Sequence, residues 1–187
     1  MRAGNVSLKV SIVVGNPKPH SRTRKVAELL SEKILQPGMY ELQVLDLADY
    51  ADEVFSWPSE KMQTANQAVA DSDLALFASP TYKATYTGLL KAFLDRYPAN
   101  GLRGVTAIPV HTGADFGHQM GPTFTLSPLL MELGAIVPGR GFYFALSQMD
   151  RIDEVVGAAA AEYAANFANL ARVASATALS IACAATE

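Results

Sequence analysis

Short apolar runs alternate with segments of helical periodicity five times along this chain, and this alternation constrains its fold more than any other feature. Short apolar runs indicate buried strands. The predicted strands are residues 8–14, 40–47, 74–78, 105–110 and a fifth divided between 135–137 and 142–144. In the second strand, alternation places Leu42, Val44 and Leu47 inward. Alternating strands and helices are typical of a parallel sheet covered on both faces, so the sequence predicts an α/β fold.

The helical segments have apolar residues at spacings that define one face. They cover residues 24–35 and 60–70, a segment that ends near Tyr97, residues 124–133, and an alanine-rich stretch from Ile152. The apolar stripe of the last segment indicates a helix packed on the sheet: Val155, Val156, Tyr163, Phe167, Leu170 and Val173. The alternative is that its small-residue face contacts another subunit. No internal repeat or linker is found, so we expect one domain over residues 1–187, with 177–187 as a frayed tail.

Composition and charge narrow the class of protein. The chain has 187 residues, of which 50% are hydrophobic and 18% charged, and its net charge is -3. This profile predicts a globular domain that does not bind nucleic acid, because a basic surface is missing. No apolar stretch is long enough for a membrane span. The single cysteine, Cys183, excludes an internal disulfide and a Cys-x-x-Cys metal site, which fits a reducing, cytoplasmic setting.

The loop after the first predicted strand opens a helix, where unpaired N–H groups and the helix dipole favour an anion. Ser21 and Thr23 offer hydroxyl groups there, and Arg22 offers a charged donor. The loop matches neither the dinucleotide fingerprint nor the nucleoside-triphosphate P-loop. Two interpretations stay open at this point: a phosphate site, or a helix N-cap that forms with or without a ligand.

Two further loops follow the third and fourth predicted strands. The third-strand loop offers backbone N–H groups and the Tyr82 ring to a flat aromatic ligand, although an ordinary turn with a solvated Lys83 is the alternative. The fourth-strand loop spans residues 111–118, and its Gly113 lets the backbone approach a ligand closely. His111, Asp115 and His118 suggest a metal or acid–base site, but no third metal ligand is obvious. No nucleophile elbow or reactive cysteine setting is found.

The loops after strands one, three and four fit a flavodoxin-like, three-layer α/β/α sandwich with a five-stranded parallel sheet in the order 2-1-3-4-5. In that order strands one and three lie at the switch point, so their loops face each other across one crevice. A phosphate-and-ring pocket without a nucleophile or metal points to a cofactor that brings its own chemistry.

One motif spans the third-strand loop and the helix after it: Pro80-Thr81-Tyr82-Lys83-Ala84-Thr85-Tyr86-Thr87-Gly88-Leu89-Leu90-Lys91. It resembles the P-x-Y-K-A-x-Y-S-G-x-L-K motif of the NADPH-dependent FMN reductase family. The closest similarity is to the flavin reductases of two-component alkanesulfonate monooxygenase systems. Gly15-Asn16-Pro17 with Ser21-Arg22-Thr23 resembles the G-S-P…S-R-[ST] phosphate loop of the same subgroup. The resemblance extends from about Val10 to Val137. Asn16 stands where the subgroup has serine, and Phe124 is the nearest counterpart of a fourth-helix tyrosine found in some members.

The resemblance implies three sets of FMN-binding residues and neither a catalytic side chain nor a metal. The phosphate would be held by Ser21, Arg22 and Thr23, with Asn16 and His20 at its edge. The ribityl chain and isoalloxazine would be lined by Pro80, Thr81, Tyr82 and Lys83. The pyrimidine end of the ring would be approached by Thr112, Gly113 and Ala114.

The activity implied by the resemblance is NAD(P)H-dependent FMN reduction, in which the nicotinamide C4 passes hydride to flavin N5. Reduced FMN would supply a partner flavin-dependent monooxygenase, and the protein would be a homodimer or homotetramer. Because no acidic ribose clamp is identifiable, NADH and NADPH both stay open. The alternatives are an FMN-retaining quinone, azo-dye or metal-oxyanion reductase, a flavodoxin-type electron carrier, and a non-enzymatic scaffold.

Overall fold

A computed structural model of the chain describes residues 7–177 and contains one parallel sheet. Its strands are β1 (Leu8–Val14), β2 (Tyr40–Asp46), β3 (Leu74–Pro80), β4 (Thr106–Gly113) and β5 (Phe142–Ala145). They pair in the order β2-β1-β3-β4-β5, with every neighbour parallel. The predicted α/β class, sheet order and flavodoxin-like architecture are therefore confirmed.

Within residues 7–177, five α-helices cover the two faces of the sheet: α1 (Arg22–Ile34), α2 (Glu60–Ala70), α3 (Gly88–Leu94), α4 (Ser127–Glu132) and α5 (Ile152–Ser175). Helices α1 and α5 pack on one face against residues such as Ile12 and Leu76. Helices α2, α3 and α4 pack on the other face against residues such as Val13 and Phe77. Consecutive strand residues thus enter opposite cores, which explains why β3 is buried at all seven positions.

The ends of β4 and β5 differ from the prediction. Strand β4 continues to Gly113 because its last residues pair with β5, so His111, Thr112 and Gly113 belong to the strand rather than to a loop. The segment 135–137 is not part of β5, since Ile136 makes one isolated bridge to Thr106. Strand pairing is a tertiary property, and apolar periodicity does not reveal where it stops.

The structure also differs from the prediction in which residues of the second strand are buried, in where the third helix ends and in the form of the fourth helix. Leu42 is 39% exposed because β2 is an edge strand, whereas Leu47 is buried in a 3-10 turn that follows β2. Helix α3 already ends at Leu94. The predicted fourth helix is divided into a π-helical turn, Pro122–Leu126, and the short helix α4.

Helix α5 packs against the sheet from Ile152 as far as Phe167, and not beyond. Val156 and Tyr163 are buried, and Val155 and Phe167 pack against the same core, as expected for a helix on the sheet. Leu170 and Val173, by contrast, are 45% and 57% exposed. Except for Thr177, the predicted tail lies outside the described residues, as does Cys183. None of the helices within residues 7–177 is long and apolar enough to cross a membrane.

Candidate functional site

Strands β1, β3 and β4 are neighbours in the sheet, so the loops at their carboxyl ends meet at one edge. Hydrogen bonds join the three loops. The Thr87 hydroxyl donates to the Gly15 carbonyl over 2.5 Å, which links the first loop to the third. The Thr81 N–H donates to the Thr112 carbonyl over 2.7 Å, which links the third loop to the end of β4, where the fourth loop begins. The structure therefore brings all three predicted loops together.

The first loop runs from Gly15 to the start of α1, and its side chains organise its own backbone. The Asn16 side-chain oxygen accepts from the Lys18 N–H over 2.9 Å. Ser21 is the N-cap of α1, and its hydroxyl accepts from the Arg24 N–H over 3.2 Å. His20 adopts a left-handed conformation with φ 52°. Arg22 is exposed at the first turn of α1, where the leading N–H groups have no intrahelical partner.

Thr23 and Thr112 meet beneath the loops. Both residues are almost fully buried, and their hydroxyl oxygens lie 2.7 Å apart in a hydrogen bond. The Asn16 amide also donates to the Thr23 hydroxyl over 3.3 Å. The Thr23 hydroxyl is thus directed towards the sheet. The backbone N–H of Thr23 is one of the leading N–H groups of helix α1.

The third loop contains a tight turn from Tyr82 to Thr85. The Tyr82 N–H donates to the Thr85 carbonyl over 2.9 Å, and the reverse bond measures 3.4 Å. Lys83 and Ala84, at the centre of the turn, have φ angles of 51° and 74°. Two consecutive left-handed residues are typical of a type I′ turn, in which asparagine and glycine are the preferred residues. Holding lysine and alanine there costs roughly 1–2 kcal/mol per residue.

Pro80 and Thr81 connect this turn to the sheet. Pro80 is buried as the last residue of β3. The Thr81 hydroxyl oxygen is buried and makes no hydrogen bond of normal geometry among the described residues, although it lies close enough to the Tyr143 hydroxyl to interact with it. Tyr82 is 49% exposed, and Lys83 is exposed beside it. A polar, planar ligand could give this buried hydroxyl a hydrogen-bond partner and stack on the exposed aromatic ring beside it.

The fourth loop begins at Gly113, which is buried at the end of β4. A Cβ atom at this position would overlap the Tyr143 hydroxyl, so the position requires glycine. That hydroxyl donates to the Asp115 carbonyl over 2.6 Å, and burial raises the pKa of Tyr143. The Asp115 carboxylate accepts from the Gly117 N–H over 2.8 Å, while Ala114 is exposed.

His111 does not face solvent. Its ring is fully buried, stands edge-on to the Tyr86 ring at 6.3 Å, and neither of its nitrogens has a hydrogen-bond partner in residues 7–177. Burial lowers the pKa of His111 to about 4, so the imidazole is neutral at neutral pH. His118 is exposed on the loop beyond it. Within the described part of the chain, no group of three or more His, Cys, Asp or Glu residues could hold a metal ion.

The sequence analysis missed three residues that shape this site: Asp46, Thr87 and Tyr143. Asp46 is buried and its carboxylate accepts from the His20 N–H over 3.1 Å. A polar residue at the carboxyl end of a strand beside β1 was the signal for it. Thr87 precedes α3 as its N-cap, which the Thr-Gly-Leu-Leu sequence indicates. Nothing in the local sequence distinguishes Tyr143 from an ordinary strand residue.

The sequence of the chain, including its three loops, matches a known protein family. The sequence profile described as NADPH-dependent FMN reductase matches residues 8–149, which is most of the chain and includes all three loops. The chain belongs to this family. Its members are oxidoreductases, so the chain is one too.

Relatives and a solved structure agree with this assignment. The chain is 28% identical over 130 residues to the FMN reductase (NADPH) of Escherichia coli, covering 68% of each chain. It is 30% identical over 151 residues to the NADH-dependent FMN reductase SfnF of Pseudomonas putida, covering 77% of this chain and 81% of that one. The crystal structure of the apo form of an NADH:FMN oxidoreductase, EMOB, superposes with a TM-score of 0.74 at 27% identity, covering 85% and 89% of the two chains.

Proposed function

We propose that this protein is an NAD(P)H-dependent FMN reductase that binds FMN across the three loops and receives hydride from a nicotinamide. The observation that carries the proposal is the set of hydrogen bonds that join the first loop, the third loop and the end of β4, where the fourth loop begins, at one edge of the sheet. These loops present backbone N–H groups, hydroxyl groups and an exposed tyrosine ring. The family supports FMN as the ligand of such an edge.

The phosphate of FMN is proposed to lie at the first turn of α1, against Ser21, Arg22 and Thr23, with Asn16 and His20 at its edge. A helix N-terminus is a favourable anion site because its leading N–H groups and its dipole point at the ligand. Arg22 adds a charged donor from an exposed position. Since the Thr23 hydroxyl is bonded to Thr112, we assign its main-chain N–H to the phosphate.

The ribityl chain and ring are proposed to lie along Pro80, Thr81, Tyr82 and Lys83. The buried Thr81 hydroxyl fits this assignment, because it makes no hydrogen bond of normal geometry and a ligand hydroxyl or ring atom would give it one. The pyrimidine end is assigned to the backbone of Thr112, Gly113 and Ala114. Gly113 is required at this position because the Tyr143 hydroxyl occupies the space that a Cβ atom would fill.

The chain's own contribution is binding and orientation. When bound, the flavin supplies the ring that accepts hydride, so the protein needs to hold it facing the nicotinamide. We propose no catalytic side chain and no metal, and the surroundings of His111 and Asp115, two of the three residues that suggested such chemistry, are consistent with this proposal. His111 is fully buried, and the Asp115 carboxylate is engaged by the Gly117 N–H.

The partners are part of the same proposal. We infer that reduced FMN is passed to a flavin-dependent monooxygenase, as the motif resemblance implies, and that the protein assembles as a homodimer or homotetramer. Three exposed aromatic residues, Tyr82 in the third loop and Phe116 and Phe124 near Ala84, offer surfaces for such contacts. We place the protein in the cytoplasm, where NADH and NADPH are both supplied.

A direct assay tests the activity. Purified protein with FMN and either NADH or NADPH should oxidise the nucleotide, and the ratio of the two rates defines the preferred donor. Oxidation of neither nucleotide at saturating FMN would exclude the proposal. Flavin that stays bound through gel filtration, together with turnover of quinone but not of free FMN, would indicate the quinone reductase instead. FMN binding without nucleotide oxidation would indicate an electron carrier.

Arg22→Ala tests where the phosphate binds. The change should weaken FMN binding by about tenfold, the effect of one hydrogen bond to a charged group, and leave binding of riboflavin, which has no phosphate, unchanged. Lys25→Ala is the matched control, because Lys25 is an exposed cation on the same helix. Titrations of flavin fluorescence measure both ligands. Equal losses for FMN and riboflavin, or equal effects of the two variants, would place the phosphate elsewhere.

A further inference from the structure

Asp46 is a buried carboxylate next to the first loop. It is the last residue of β2, pairs in register with Val14 at the end of β1, and is only 3% exposed. One carboxylate oxygen, Oδ2, accepts from the main-chain N–H of His20 over 3.1 Å. The other, Oδ1, is buried and has no hydrogen-bond partner within residues 7–177.

The charge of Asp46 is only partly compensated. The nearest cation is Arg24, whose Nη1 lies 3.8 Å from Oδ2. Arg24 is bound more closely to Glu28, since its Nε lies 2.8 Å from that carboxylate. Burying a carboxylate with an incomplete set of partners is unfavourable. Core packing does not explain a charged residue here, whereas the hydrogen bond to His20 does.

His20 is the residue that this bond controls. Its φ angle of 52° places it in the left-handed region, which is unfavourable for a residue with a side chain. It stands immediately before Ser21, the N-cap of α1. The conformation of His20 therefore sets the direction in which the chain enters the helix, and with it the direction of the N–H groups of Ser21 and Arg22.

We propose that Asp46 is a positioning residue for a phosphate monoester: it holds His20 in the left-handed conformation so that the first loop presents its N–H groups to the phosphate of the flavin. This inference rests on the proposed function. Asp46 itself does not contact the phosphate, because its own charge would repel it. Its effect is expected at the phosphate end of the ligand, since its hydrogen bond and its ion pair go to the first loop and to α1.

Three variants and two ligands test the inference: Asp46→Ala, Asp46→Asn and the control Asp49→Ala, each titrated with FMN and with riboflavin by flavin fluorescence. Asp46→Ala removes the acceptor and should weaken FMN binding by about tenfold while riboflavin binds as before. Asp46→Asn keeps an amide oxygen for the His20 N–H and should bind FMN at least as tightly as the wild type. Asp49 is exposed three residues further on, so its replacement should change neither affinity.

A second change separates backbone positioning from a general loss of structure. Glycine adopts positive φ without support, so adding His20→Gly to Asp46→Ala should restore part of the FMN affinity. Unchanged FMN binding by Asp46→Ala, or equal losses for FMN and riboflavin, would overturn the inference. If Asp46→Ala does not fold, weak FMN binding by Asp46→Asn with normal riboflavin binding would overturn it. A wild-type protein that binds no FMN would instead exclude the proposed function.

Discussion

At the scale of single residues, the site depends on hydroxyl groups that face the interior. Thr23 and Thr112 come from α1 and β4, and their hydroxyls form a hydrogen bond of 2.7 Å with almost no access to solvent. A buried polar group that loses its partner cannot recover the bond from water. The pair therefore ties the first turn of α1 to the end of β4, where the first and fourth loops meet.

Thr112→Val tests how much the Thr23–Thr112 hydrogen bond contributes to the stability of the protein. Valine has nearly the same shape but no hydroxyl, so the Thr23 hydroxyl keeps only the Asn16 amide as a partner. We expect the free energy of unfolding, measured by urea denaturation, to fall by roughly 1–3 kcal/mol. The matched control is Thr64→Val at an exposed position of α2, which should change stability by less than about 0.5 kcal/mol. Equal effects of the two changes would show that the buried pair adds nothing.

At the scale of elements, the first loop and α3 approach each other with no side chain between them. A Cβ atom on Gly15 would lie 2.6 Å from the Leu90 Cβ, and the Thr87 hydroxyl bonds to the Gly15 carbonyl. Gly15 is required by this close contact rather than by its backbone angles. The loop therefore rests directly on the helix that follows the Pro80–Lys91 motif.

Gly15→Ala should disturb that contact. Because Leu90 is fixed in the core, the added methyl group forces the loop and helix apart, and we expect a loss of about 1–3 kcal/mol in the free energy of unfolding. Gly88→Ala, in α3, has no atom within 4 Å of the new Cβ and should be neutral or stabilising by up to about 1 kcal/mol. Chemical denaturation of the two variants gives the comparison. A Gly15→Ala protein as stable as Gly88→Ala would contradict the close packing.

The sequence predicts elements well where local periodicity determines them. Strand β1 and helix α2 have the predicted bounds, because apolar spacing alone marks them. The end of β4, the exclusion of residues 135–137 from β5 and the π-helical turn at Pro122–Leu126 were not predicted. Each depends on a neighbour: β4 and β5 extend as far as they pair, and the turn is held by hydrogen bonds such as that from Ser127 to the Pro122 carbonyl.

At the scale of the whole molecule, His111 couples folding to pH. In the fold its pKa is lowered by burial to about 4, from an ordinary value of 6.5. Above that ordinary value the imidazole is neutral in both states and contributes no pH dependence. As the pH falls from about 6.5 to about 4, the unfolded chain binds a proton that the folded protein does not, so stability decreases.

His111→Leu should remove this dependence. The wild type is expected to lose up to about 3 kcal/mol of unfolding free energy from this group between about pH 6.5 and pH 4, on top of any contribution from carboxylates. The variant should have a flatter profile over the same window, measured by urea denaturation at a series of pH values. His118→Leu, at an exposed position, should keep the wild-type slope. Parallel profiles for the wild type and His111→Leu would show that His111 does not resist protonation.

The sequence by itself determined the α/β class, the strand order and the family, because apolar periodicity and the two loop motifs are local patterns that survive without knowledge of the fold. Only the tertiary structure showed what holds the loops in place. The Asp46–His20, Tyr143–Asp115 and Thr23–Thr112 bonds join residues separated by 26, 28 and 89 positions. Such bonds depend on how strands are aligned and how helices pack on them. No local pattern in the chain encodes that alignment, so the groups that position the candidate site became visible only in the folded molecule.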